Sequence, residues 1–191
     1  MNGMRFLSVG LFTLVAVLSF SCWAWGGGVF GSEVAMYAAC AVVFLFGGGL
    51  ATWPILSGTA RFRWTYSLWF AVGFILYSIL WTAAWFVFRN TWGEVLGSSL
   101  GLIGLAWVLR RYANPDHSIL AVVAILFLFH SLGYYAGDFF HSALQGRGSL
   151  PLALPFAPAT VGLLAKLAWG ICYGLGLGWG LQAVLHPARQ N

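Results

Sequence analysis

Carboxylates are almost missing from this chain. Glu33, Glu94, Asp116 and Asp138 are its four acidic residues, and with nine Lys and Arg they make 13 charged positions in 191. A water-soluble domain with 61% hydrophobic and 18% aromatic residues could not hide that much apolar surface behind so few charges. An ordinary soluble enzyme is thereby excluded. Cysteine is scarce too. Cys22, Cys40 and Cys172 form no CxxC and fall inside apolar runs, which excludes a disulfide framework and a metal-ligand spacing. The formal charge of +5 has no basic cluster behind it, so it carries no nucleic-acid signal.

Long apolar segments are what the chain has in abundance. Windows with few or no charges run over Met4–Trp25, Val34–Leu56, Trp64–Phe88, Gly93–Leu109, Ser118–Gly137 and Thr160–Leu185. Each is at or near the ~20 residues a helix needs to cross a ~30 Å hydrocarbon core. The pattern predicts an all-α integral membrane protein with six transmembrane helices in one polytopic domain, residues 1–191. Arg5 followed by Phe6–Phe20 also has the layout of a signal peptide. A bulky Phe20 stands where cleavage wants a small residue, so the segment reads as a retained first helix.

Arginine placement orients the segments. Arg5, Arg61, Arg63, Arg110, Arg111 and Arg189 flank one side, whereas Arg89 and Arg147 flank the other. That bias in short loops predicts both termini on the cytoplasmic side, in a membrane of the bacterial inner type. Turns are expected at Gly26-Gly27-Gly28 through Ser32, at Pro54 with Ser57-Gly58-Thr59, and at Asn114-Pro115, with Asp116 capping the helix that follows. The connection from Asp138 to Ala159 contains Pro151, Pro155 and Pro158 around an apolar centre. It is expected to lie along the outer interface or dip into the protein.

Glycines recur at fourfold spacing in the last three segments. The sixth carries Gly162, Lys166, Gly170, Gly174, Gly178 and Gln182; the fourth carries Gly93, Gly97 and Gly101; the fifth carries Gly133 and Gly137. Helices in lipid gain no hydrophobic drive from meeting, so small residues that admit close backbones supply the contact. These stripes predict tight packing of helices four to six, with a subunit interface as the other use. Eleven Trp residues divide between span ends (Trp23, Trp25, Trp64, Trp92) and deeper positions such as Trp69, Trp81, Trp85, Trp107, Trp169 and Trp179, where they pack, meet lipid or line a flat apolar pocket.

Ionisable groups within apolar segments are functional candidates, because a bilayer makes them costly. Glu94 with Ser98, then His130, Tyr134, Asp138 and His141, and finally Lys166 all fall in the outer half of segments four to six. An ion pair of Lys166 with Glu94 or Asp138 is one expectation; a polar cavity opening outward is another. Ser98 has no histidine on the sixth segment to activate it, which argues against a serine nucleophile. The spacing His130, Asp138, His141 is not a metal motif, and no cofactor is predicted. Minimal loops and few polar groups favour a channel, a carrier or a membrane subunit, working as a homo-oligomer or with other membrane subunits. The alternative is an intramembrane hydrolase, with or without metal assistance, acting on a lipid-like substrate at the outer leaflet.

Overall fold

The structure is a computed structural model and describes residues 2–54, 56, 60–113, 116–147, 151–152 and 154–185. It is all-helical: α1 (Asn2–Val29), α2 (Glu33–Thr52), α3 (Ala60–Phe88), α4 (Thr91–Leu109), α5 (Ile119–Leu144) and α6 (Pro158–Val184). All six are long and apolar enough to cross a membrane. A short 3-10 turn, Arg110–Tyr112, follows α4.

The helices form a ring in chain order, antiparallel at each step. α1 packs closely on both α2 and α6, α3 on α4, and α5 on α6, while the α2–α3 and α4–α5 seams are lighter. An isolated bridge between Ala113 and Leu185 ties the ends of α4 and α6. One end of the bundle gathers Arg5, Arg63, Arg110 and Arg111; the far end holds Glu33, Arg89, Glu94, Asp138 and Arg147. The core is filled by Phe12, Phe70, Leu102, Leu105, Leu126, Leu177 and Leu181, all inaccessible to solvent. Residues such as Leu68, Ile79, Leu120 and Leu132 point outward as an apolar coat.

Several boundaries differ from the sequence expectation. Gly26 to Gly28 continue α1 as helix, and the turn is Phe30 to Ser32. Gly26 is buried against α2, where an added Cβ would strike the Met36 side chain, so close packing rather than turn formation explains this glycine. Ser118, not Asp116, caps α5: its side chain accepts from the Ala121 N–H at 3.2 Å. Ser32 and Asn90 cap α2 and α4 in the same way. Arg89 takes a left-handed conformation (φ 48°), closing the two-residue connection that lays α4 back along α3. α5 runs on to Leu144, seven residues past its expected end, so Asp138 and His141 are helical. The described residues of the following segment (151, 152 and 154–157) are exposed, and none dips into the bundle. The turn at Ser57–Thr59 and the break at Asn114-Pro115 lie outside the described residues.

Glycine packs the bundle, though not where the stripes alone suggested. Gly97 and Gly101 of α4 lie on Trp81 and Tyr77 of α3, rather than on α5. Gly133 of α5 meets the Cys172 carbonyl and Gly176 of α6 at backbone distance, and Gly137 lies under Trp169. The fourfold stripe Gly170, Gly174 and Gly178 faces α1, at Phe20, Thr13 and Phe12. Gly162 has nothing within 4 Å of an added Cβ.

A Cβ at Gly176 would lie 2.5 Å from the Phe129 carbonyl oxygen and 2.6 Å from the Gly133 Cα, both unyielding backbone atoms. Gly176→Val is therefore expected to destabilise the purified protein by about 1–3 kcal/mol or more, as overpacking does. Gly162→Ala is expected to stay within about 0.5 kcal/mol of wild type, as surface changes do. Thermal unfolding in detergent micelles compares the two; equal melting temperatures would refute backbone contact as the basis of α5–α6 packing.

Candidate functional site

The polar centre is built on His130. This side chain is 1% exposed, and its Nε2 lies 2.7 Å from the Tyr77 hydroxyl of α3. Its ring stacks on Tyr134 at 5.9 Å, one turn further along α5, and meets Tyr77 and Tyr173 edge-on at 5.5 Å each. Ser98 and Tyr173 stand beside the Tyr77 hydroxyl. The Tyr134 hydroxyl donates to Glu94 Oε1 at 3.4 Å, a long bond. Four helices thus contribute to one hydroxyl-rich network.

His130 leaves one nitrogen over. Nδ1 is buried with no hydrogen-bond partner. If Tyr77 donates to Nε2, Nδ1 carries the ring proton and is an unmet donor. If Nε2–H donates to Tyr77, Nδ1 is an unmet acceptor and the phenolic proton is free for Ser98 or Tyr173. Either way the imidazole is held in place at a point about 21 Å from the far end of α5, counting 1.5 Å per residue from Leu144. That is deeper than the sequence implied, because α5 is longer.

Beside this network lies a cavity of about 540 Å³. Aromatic rings make most of its wall: Phe20 and Trp23 of α1, Phe44 of α2, Phe74, Tyr77 and Trp81 of α3, Tyr134 of α5, and Trp169 and Tyr173 of α6. Edge-on and tilted ring contacts among Phe12, Phe44, Phe70 and Phe74, at 4.8–6.2 Å, close it toward the arginine-rich end. Its other boundary is the α2–α3 seam. These helices touch where Gly48 and Gly49 meet Phe70 and Ser67, nearer the arginine-rich end. Further along, Tyr37 and Ala41 of α2 and Ser78 of α3 line the cavity and are exposed, so it opens sideways. Ser19 also lines it, with its hydroxyl donating to the Cys40 carbonyl at 2.8 Å.

The other candidates group separately at the far end. Lys166 forms no ion pair with Glu94 or Asp138. Its ammonium donates to the Trp23 carbonyl at 3.2 Å and sits 4.7 Å over the Trp23 ring. The expected pair fails because the ring closes through α1, which puts an aromatic residue where a carboxylate was expected. His141 stacks on Trp23 at 5.7 Å and packs against Trp169 at 5.1 Å, while the Gln145 amide donates to its Nε2 at 3.0 Å. Asp138 is exposed. Among the described residues, no three of His, Cys, Asp and Glu converge in a way that would hold a metal.

No family model matches the chain, no curated protein matches it, and no solved structure does. The geometry alone carries the functional argument.

Sequence reasoning brought His130, Tyr134, Ser98 and Glu94 into one network and missed Tyr77 and Tyr173. Those two sit in helices crowded with aromatics, and nothing in their spacing distinguishes them from packing residues. Because the His130–Tyr77 bond is buried, removing one partner should cost about 1–3 kcal/mol, whereas removing both leaves neither end of that bond unmet, and the loss to Ser98 and Tyr173 is common to both Tyr77 variants. Tyr77→Phe, His130→Leu and the double variant form a cycle read by unfolding in micelles. The expected coupling is about 1 kcal/mol or more; strict additivity would show that the bond contributes nothing.

Proposed function

We propose that this protein is a small polytopic membrane protein that admits a lipid-like ligand sideways from the bilayer and holds it in the aromatic cavity, as a carrier or a binding subunit. The observation that carries this reading is the cavity itself, walled by rings and open between α2 and α3. Its volume falls within the roughly 300–1,000 Å³ of small-ligand sites, enough for one chain or ring system. The apolar coat suits a bilayer, where every backbone group must be satisfied within a helix. Arginines concentrated at one end support cytoplasmic termini in a bacterial inner membrane. On that orientation the cavity opens to the outer leaflet.

An ion channel is a poorer fit. Inaccessible Phe12, Phe70, Leu105, Leu126 and Leu181 block the arginine-rich half of the bundle. Association with other copies or other membrane subunits belongs to the same proposal, but Gly97, Gly101, Gly133, Gly137, Gly170, Gly174 and Gly178 are used within the chain. Contacts between chains would use exposed surfaces such as Leu128 and Leu132. The intramembrane hydrolase remains the second reading, favoured by the 2.7 Å contact between Tyr77 and His130. In that case Tyr77 would be the group presented to the cavity, with His130 taking its proton.

Native mass spectrometry of protein extracted in mild detergent tests the binding reading. The expected result is a stoichiometric lipid-like adduct on the wild type, reduced at least tenfold in Ala41→Phe, which fills the lateral opening. Equal adducts on both proteins, or none on either, would overturn the assignment.

A further inference from the structure

Lys166 stands above the cavity without a counter-ion among the described residues. It lies eight residues into α6, about 12 Å along the helix. One of its three N–H donors is taken by the Trp23 carbonyl, and among the described residues it forms no ion pair. A cation inside a bilayer ordinarily pairs or reaches a polar headgroup. Direction matters as well as depth. Seven residues separate Lys166 from Tyr173, about two helical turns, so both lie on nearly the same face of α6. That face is the arc between the two glycine contacts, toward α1 on one side and α5 on the other, and Tyr173 lines the cavity on it. Trp23 and Trp169, which also line the cavity, lie against the Lys166–His141 cluster at its upper edge.

The surrounding charges are consistent with an incoming anion. Lys166, Arg147 and Asp138 all lie near His141. Glu94 accepts a long hydrogen bond from Tyr134 of α5. The cavity below is too apolar for a second charge.

We infer that the ligand is a single-chain lipid anion, a long-chain carboxylate whose head binds Lys166 and whose chain occupies the aromatic cavity; this rests on the cavity reading above. One carboxylate neutralises one lysine, whereas a phosphate monoester would leave excess charge in a low-dielectric site. Charge-assisted hydrogen bonds from the two free ammonium donors would hold the head. The chain would run toward Phe44 and Phe74.

The test uses dibromostearate and its methyl ester as probes, since bromine on a chain inside the cavity quenches the surrounding tryptophans. Wild type is expected to bind the acid at least tenfold more tightly than the ester. Lys166→Gln should remove that preference while leaving ester binding unchanged, and Lys166→Arg should restore part of it. Ala41→Phe should lose both probes. If Lys166→Gln binds acid and ester as wild type does while Ala41→Phe binds neither, the headgroup inference is overturned and the cavity reading stands. If Ala41→Phe quenches as wild type does with both probes, the cavity reading falls and the inference with it.

Discussion

Backbone contact between α5 and α6 is the constraint on which the rest depends. Gly133 and Gly176 bring the two helices together with no side chain between them. α6 uses a second small-residue face, Gly170 to Gly178, for α1. With two sides of α6 committed to close approach, its larger residues have one inward direction left. Tyr173 and Leu177 take that direction, and Lys166 takes it two turns above. His130, three residues before Gly133 on α5, is thereby pressed into the centre, where Tyr77 reaches it from α3. Van der Waals packing, rather than attraction between charges, sets the position of every polar group in the bundle.

The same packing explains why the cavity lies where it does. Strong contacts join α5, α6, α1 and α2 in one curved layer, and α3 with α4 form a separate pair. Layer and pair must meet twice, at α2–α3 and at α4–α5. At the first meeting, aromatic side chains fill the lower half, and space remains above it. A site made of large rings is suited to a ligand with much apolar surface and little polarity, since each ring offers area at a small entropic cost.

Hydropathy made the six helices readable in the sequence, because no other arrangement hides so many consecutive apolar residues. Helix ends were less readable. Gly26 to Gly28 resembles a turn on paper but is helix, since the chain there serves Met36 of the neighbouring helix. Asp138 and His141 stood at and just beyond the expected end of the fifth span, yet α5 continues through both. The grouping of Glu94, Ser98, Tyr134 and His130 followed from depth and face. Lys166 could not be placed that way: its partner Trp23 comes from a helix 143 residues away, and order along the chain does not reveal that the ring closes. Tyr77 was hidden for a different reason. A buried tyrosine among phenylalanines and tryptophans gives no pattern of its own until the opposite helix is known.

Ring closure has a consequence for how the protein is made. α1 is the first of the six helices to leave the ribosome and α6 the last, yet they share one of the closest interfaces in the bundle. Until α6 arrives, the α1 face at Thr13, Ala16 and Phe20 has no partner within the chain. The native fold therefore cannot be completed by sequential addition of finished hairpins. The α1–α6 interface can form only after the whole of the intervening chain has been made, so it is among the last of the close helix contacts open to the growing chain.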